Sequence, residues 1–201
     1  SVRCDLTITA AYTGETLAGL ENLTACESLR IGSAAHPNET LRQLSLPALK
    51  EIKGDLCVYG TALQTADFKS LQSVAGHFVL QSDALLQLTA DELTTVAGNM
   101  TLIGTTADEA KAPCEQMYFP KLQRIDGTLT LSRFDRLSGL GTTFGVLTQA
   151  GALRYEHLAL ANTFEFPLIE TTGNITVTDC PILRSVLLPA LTDAGSLEIT
   201  G

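Results

Sequence analysis

The chain has 201 residues, of which 45% are hydrophobic and 17% are charged, and its formal net charge is −9. This length suits one domain with a continuous apolar core, and an acidic surface without any cluster of Lys or Arg argues against nucleic acid or anionic lipid as a partner. No stretch approaches the ~20 apolar residues that are needed to span a bilayer.

The start of the chain and four glycosylation motifs indicate the secretory pathway. Ser1–Cys4 has no apolar signal-peptide region behind it, so we expect a mature or trimmed ectodomain. Asn-x-Ser/Thr motifs occur at Asn22, Asn38, Asn99 and Asn174. These motifs are acceptors for N-linked glycans. We therefore predict a glycoprotein that is extracellular or at the cell surface.

A repeat of about 22 residues organises the whole chain. Its marker position is glycine in most copies, and the copies are Cys4, Glu27, Gly54, Gly76, Gly98, Gly127, Gly151, Gly173 and Gly195. The second position after each marker is always apolar: Leu6, Leu29, Leu56, Phe78, Met100, Leu129, Leu153, Ile175 and Leu197. The fourth is apolar or aromatic: Ile8, Ile31, Val58, Leu80, Leu102, Leu131, Tyr155, Val177 and Ile199.

Each copy is therefore a short strand with one apolar face, because the positions between are mostly polar and strand side chains alternate with period two. A strand that cannot bury its inner face alone must stack on its neighbours. The sequence predicts one all-β domain over residues 1–201, a parallel β-helix (β-solenoid) of about nine coils. The glycines allow a sharp bend with positive φ or close backbone approach, and the recurrent prolines mark corners: Pro47, Pro120, Pro167 and Pro189.

Three segments break the period. Insertions at 34–40 and 105–116 are expected to loop outward, and the coil at 139–145 is expected to be irregular. The last strand ends at Gly201, so we expect further coils or a cap beyond it.

The five cysteines leave at least one unpaired. Cys4 and Cys26 are one coil apart, so stacking brings their Cα atoms within disulfide range. We predict that this bridge caps the N-terminal coil at 4–26, with two reduced buried thiols as the alternative. Cys57 and Cys114 pair only if the second insertion folds back, and the sequence leaves the pairing of Cys180 open.

The segments Cys4–Ile8, Leu20–Ile31 and Leu44–Leu56 resemble the leucine-rich-repeat-like L domains of insulin- and epidermal-growth-factor-type receptors. They resemble even more the fungal glycosylphosphatidylinositol-anchored (GPI-anchored), sporulation-related cell-wall proteins. The resemblance implies an extracellular right-handed β-helix that acts in ligand binding or, alternatively, in cell-wall organisation. The cysteine-rich module of the receptors and the Ser/Thr-rich anchored tail of the fungal proteins are absent, so membrane attachment would need a further C-terminal region.

The sequence lacks the motifs of common enzymes and metal sites, so we predict no catalytic activity, no metal and no cofactor. The histidines are scattered and are expected at the surface: His36, His77 and His157. A polysaccharide-active β-helix is a weaker alternative, because the outer column has one carboxylate, Glu198, where glycosidic chemistry uses two. An ice-binding solenoid is another, but its Thr-x-Thr column is interrupted between Thr7 and Thr176.

A protein or glycan ligand at the cell surface is the expected partner, and regular strands are the most rigid platform for it. The candidate ligand face consists of the outward residues Tyr59, Gln81, Ile103, Arg154 and Glu156. Tyr and Arg are types that anchor interfaces. Glycans on the outward Asn99 and Asn174 would shield part of this sheet and move recognition to the other walls or to the insertions.

Overall fold

A computed structural model describes residues 5–105, 112–137 and 140–201, and these form a parallel β-solenoid of about 8 turns with about 22-residue spacing. Its elements in chain order are β1 Leu6–Ile8, β2 Ala25–Cys26, β3 Leu29–Ile31, β4 Gln43–Ser45, β5 Glu51–Ile52, β6 Leu56–Tyr59, β7 Thr65–Asp67, β8 Ser73–Val74, β9 Phe78–Gln81, β10 Gln87–Thr89, β11 Thr95–Val96, β12 Met100–Ile103, β13 Gln116–Tyr118, β14 Arg124–Ser132, α1 Leu140–Thr143, β15 Gln149–Glu156, β16 Thr163–Glu165, β17 Thr171–Thr172, β18 Ile175–Thr178, β19 Ser185–Leu187, β20 Asp193–Ala194 and β21 Leu197–Thr200. Among these residues no helix is long and apolar enough to cross a membrane.

The first wall is the ladder of nine repeat strands that the sequence predicts. Its order is β1, β3, β6, β9, β12, β14, β15, β18 and β21, and every pairing is parallel. Leu56 pairs with Phe78 and Phe78 pairs with Met100, so the predicted register is confirmed. Nine strands enclose about eight turns, which is slightly fewer than the nine coils predicted.

The second wall is built from two-residue strands that precede the marker positions. They are β2, β5, β8, β11, β17 and β20. In the middle of the solenoid β14 and β15 are long enough to pass through the corner, so they pair in both walls and join them into one 15-stranded sheet.

The third wall is less regular. Strands β4, β7, β10 and β13 form a four-stranded sheet, and β16 pairs with β19. Between these two groups the turn carries α1 in place of a strand, and α1 contacts both β13 and β16. The predicted irregular coil at 139–145 is thus confirmed in its described part. The four corner prolines lie in the turns that follow third-wall strands, also as predicted.

The inward residues of the three walls form one continuous core. Aromatic rings run along its axis: the Phe78 ring lies 6.1 Å from Phe68 and 6.3 Å from Phe119, which flank the smaller Ala90 in their column. At β21 the inward side chains of Leu197 and Ile199 are exposed, because no described strand packs on them.

Close stacking explains the column of marker glycines. The Gly98 amide donates to the Gly76 carbonyl at 2.9 Å, and a Cβ on Gly98 would lie 2.7 Å from that carbonyl group. Positive φ is not the reason, since among the described glycines it occurs at Gly19 and Gly32, outside this column. The backbone of one turn therefore occupies the volume that a side chain of the next would need.

The expectation that both insertions loop outward is wrong for part of each. Asn38, in the first, is fully buried and bridges to Gly60. In the second, Ala112 and Cys114 are fully buried, so the chain re-enters the core before β13. The intervening residues 106–111 lie outside the described part.

Candidate functional site

The outward face of the first wall carries the third-position column in unbroken register. Its members are Thr7, Arg30, Cys57, Val79, Thr101, Thr130, Arg154, Thr176 and Glu198. Parallel strands lie about 4.8 Å apart, so this column is a straight row of side chains held by a hydrogen-bonded backbone. The face therefore has the rigidity of a platform.

A second outward column contains most of the predicted ligand face. Tyr59, Gln81 and Ile103 pair in three consecutive strands, and all three are partly buried. The column continues through Ser132, which is buried, before it reaches Glu156. The structure thus brings three of the five predicted residues together and separates them from the other two.

Ion pairs flank this group on both sides. Arg30 contacts Asp55 at 3.1 Å, and the Arg154 Nε donates to the Glu156 carboxylate. The hydrogen bond from the His77 amide is the main reason why the pKa of Asp55 is lowered. Partial burial opposes this effect, and the hydrogen bond from the Arg30 side chain adds to it. Exposed pairs of this kind contribute little stability, but they fix the orientation of the charged side chains at the border of the face.

A ladder of side chains runs along the strand starts. The Ser28 hydroxyl accepts the Asp55 amide at 3.4 Å, Asp55 accepts the His77 amide at 3.0 Å, His77 Nδ1 accepts the Asn99 amide at 2.9 Å, and Asn99 Oδ1 accepts the Thr128 amide at 2.9 Å. Each side chain satisfies a backbone donor one turn further on. Because Nδ1 of His77 accepts, its ring proton must lie on Nε2.

The predicted glycosylation sites differ in accessibility. Asn22, Asn99 and Asn174 are exposed, and the bond that Asn99 makes through Oδ1 leaves its Nδ2, the atom that carries a glycan, outside that interaction. Asn38 Nδ2 is buried and donates to two backbone carbonyls. The fold has no space for a glycan there, so the prediction at Asn38 is corrected.

The cysteines show no reactive thiol arrangement in the described residues. Cys26 is buried, and Cys4, its predicted partner, lies outside the described part, so that disulfide stays a prediction. Cys57 and Cys114 are not bonded to each other. Burial raises the pKa of all three remaining thiols, that of Cys114 to about 11, so Cys57, Cys114 and Cys180 are protonated at neutral pH.

The histidines lie apart. His77 belongs to the ladder above, His157 contacts Asp179 at 3.1 Å, and His36 is exposed. Within the described ranges no group of three His, Cys, Asp or Glu side chains is arranged to hold a metal ion.

Sequence reasoning named the other walls only in general terms and did not identify the residues of a second surface, the outward face of the third wall. Its polar residues are Gln43 and Ser45, Thr65 and Asp67, Gln87 and Thr89, and Gln116 and Tyr118. They flank inward residues that share the 22-residue period, so the same periodicity could have identified them. Shallow clefts follow this face.

No protein-family model matches the chain, and no curated protein or solved structure is significantly similar to it. The resemblance to receptor L domains and fungal wall proteins therefore stays a prediction.

Proposed function

We propose that the chain is an extracellular, non-enzymatic binding module that presents its first wall to a protein or glycan at the cell surface. The observation that carries this proposal is the consecutive stacking of Tyr59, Gln81 and Ile103 on a parallel ladder. An aromatic and an aliphatic side chain on a rigid backbone supply contact area at little cost in conformational entropy. The ion pairs beside them offer polar contacts for the rim of an interface.

The positions of the exposed sequons are compatible with this use. Asn99 stands at the start of its strand and Ile103 at the end, four residues and about 13 Å away along the strand. A glycan on Asn99 would therefore be attached at the strand starts, away from Tyr59, Gln81 and Ile103 at the strand ends. This reduces the shielding expected from the sequence.

Expression behind a signal peptide in a eukaryotic host tests the compartment. We expect secreted, folded protein with N-glycans at Asn22, Asn99 and Asn174 and none at Asn38, read by mass spectrometry after glycosidase treatment in ¹⁸O-labelled water. Retention in the endoplasmic reticulum, or a chain that folds only in the cytosol, would contradict an extracellular role.

Screening the secreted protein against arrays of extracellular protein domains and glycans tests the binding surface. For any partner found, Tyr59→Ala and Ile103→Ala should each weaken binding at least tenfold. Leu168→Ala, which removes an exposed apolar side chain that follows β16, away from the first wall, is the control and should bind as the parent does. Equal binding by all three variants would exclude the first-wall face.

A further inference from the structure

Three clefts that share lining residues lie in a row along the third wall, and we call them together the trough. One cleft of about 300 Å³ lies over β7 and β10, a second of about 370 Å³ over β10 and β13, and a third of about 250 Å³ between β13 and α1. Gln87 lines the first two clefts, and Gln116 and Tyr118 line the last two. With strands about 4.8 Å apart, the trough is about 14 Å long.

The break in the repeat closes one end of the trough. In the turn after β13 the chain forms α1, and Thr142 and Thr143 of this helix face Gln116 and Tyr118 across the third cleft. A strand at this place would have continued the flat sheet. The cleft therefore exists because the repeat is interrupted.

The lining has a mixed chemistry. It offers side-chain amides, hydroxyls and carboxylates from Gln87, Gln116, Thr65, Thr89, Asp67, Asp91 and Glu115. Tyr118 adds an aromatic ring that is 44% exposed, and its hydroxyl donates to the Gln116 side-chain oxygen. This bond holds the ring along the strand and leaves the amide nitrogen of Gln116 as a donor. An aromatic plane beside paired donors and acceptors fits a ligand with an apolar face and hydroxylated edges.

The charge and polarity of the lining restrict the class of ligand further. Among the residues that line these three clefts, Lys69 is the only cation, while Asp67, Asp91 and Glu115 are acidic. Glu115 is paired with Arg136 at 3.0 Å, so the lining keeps a slight acidic excess, from Asp67 and Asp91 against Lys69, which disfavours an anionic chain. Leu86 and Tyr118 are the large exposed hydrophobic residues of the lining, too few for a purely apolar ligand. We propose that the trough binds a neutral oligosaccharide, with Tyr118 stacking on a sugar ring and Gln87 and Gln116 hydrogen-bonding to its hydroxyls. This site goes beyond the proposed first-wall function and does not depend on it.

Titration of the whole chain with defined oligosaccharides tests the proposal. The neutral probes are cellohexaose, mannohexaose and chitohexaose, the anionic probe is hexagalacturonate, and binding is followed by calorimetry and by amide chemical shifts. We expect at least one neutral probe to bind, with shifts concentrated on β7, β10 and β13. Tyr118→Ala should weaken that binding about tenfold through loss of stacking, and Gln116→Ala about fivefold through loss of a hydrogen bond.

Leu168→Ala is the control, since it removes an exposed apolar side chain that follows β16, outside both the trough and the first-wall face, and should leave saccharide affinity unchanged. The proposal is overturned if no neutral probe binds at millimolar concentration, if hexagalacturonate binds more tightly, or if Leu168→Ala and Tyr118→Ala weaken binding equally. Circular dichroism of each variant shows that the fold is retained, which the exposure of both side chains leads us to expect.

Discussion

The first and third walls of the solenoid come from the same repeat, yet their outer surfaces differ. The first keeps its register through nine strands, from Leu6 to Leu197, and its outward residues form straight rows. The third loses its strand at α1 and carries the clefts described above. Regular repetition gives the first wall a flat, rigid face that suits a large partner, whereas the third wall carries clefts that suit a small ligand, and the interruption of the repeat at α1 adds one of them.

The regular and irregular segments of the solenoid thus differ in role. Substitutions in each show how much that segment contributes to the free energy of unfolding. If irregular segments were simply loose additions to a rigid ladder, substitutions in them would cost little. The burial of Asn38 in an insertion indicates the opposite.

The largest effect is expected for Asn38→Ala. Its side chain donates to the Thr9 and Tyr12 carbonyls and accepts the Thr40 and Leu41 amides, at 2.7 to 3.3 Å. Removing it leaves buried backbone groups without partners, and the free energy of unfolding should fall by about 3 kcal/mol. Urea denaturation measures this change.

Asn22→Ala is the control, because Asn22 is an exposed sequon residue and its loss should change the unfolding free energy by less than about 0.5 kcal/mol. A similar small change for Asn38→Ala would mean that the first insertion does not hold the coil, and the regular ladder alone would then account for stability.

The next largest effect concerns the glycine column beside the ladder. In Gly98→Ala the new methyl group meets the Gly76 backbone at 2.7 Å, and backbone cannot move aside as a flexible side chain can. Overpacking of this kind should lower the unfolding free energy by about 2 kcal/mol. Gly60→Ala provides the control, since its Cβ would lie 3.4 Å from Leu63 and 3.5 Å from the Asn38 carbonyl, which are ordinary contacts. Equal losses in the two variants would show that the close stacking at Gly98 is not the cause, since the lower unfolded-state entropy of alanine would by itself stabilise the fold.

The first wall was predictable because the 22-residue repeat determines its strands and their pairing. Once Leu56, Phe78 and Met100 were aligned, pairing, register and the inward and outward faces followed from strand geometry alone. The outer row with Tyr59 and Gln81 followed in the same way, without any knowledge of the other walls.

The irregular part was not predictable because it depends on contacts that have no period. The burial of Asn38 requires two carbonyls from the preceding coil, and the burial of Cys114 requires the chain to return to the core after an insertion. The third cleft requires α1 to replace a strand. A polar residue in an insertion is normally assigned to the surface, so local sequence gives no sign of these contacts.

A smaller effect, in the stabilising direction, is expected at Tyr155, which lies in the inward column of the first wall. Tyr155 is the aromatic member of an otherwise aliphatic column, and its hydroxyl is buried without a hydrogen-bond partner. Tyr155→Phe should raise the unfolding free energy by about 1 kcal/mol, because it removes an unsatisfied polar group and keeps the ring that lies 4.6 Å from Phe164.

Tyr155→Leu, which loses the ring contacts, should be less stable than the parent. Destabilisation by the Phe substitution would reveal a buried water that satisfies the hydroxyl.

The smallest effect tests whether the polar ladder at the strand starts stabilises the first wall through charge. The hydrogen bond from the His77 amide holds the pKa of Asp55 below its ordinary 3.8 in the folded state. A depressed carboxyl pKa stabilises the fold above the unfolded pKa, and this stabilisation disappears as the pH falls through the folded pKa. Asp55→Asn keeps an acceptor for His77 but removes the charge, so it should be less stable than the parent by under about 1 kcal/mol at pH 7, and the difference should disappear as the pH falls through the folded-state pKa of Asp55. Asp55→Ala also removes the acceptor and should be the less stable variant at every pH. Urea denaturation midpoints across this pH range distinguish the two variants. If Asp55→Asn stays equally less stable than the parent in acid, the charge of Asp55 is not the cause of the difference.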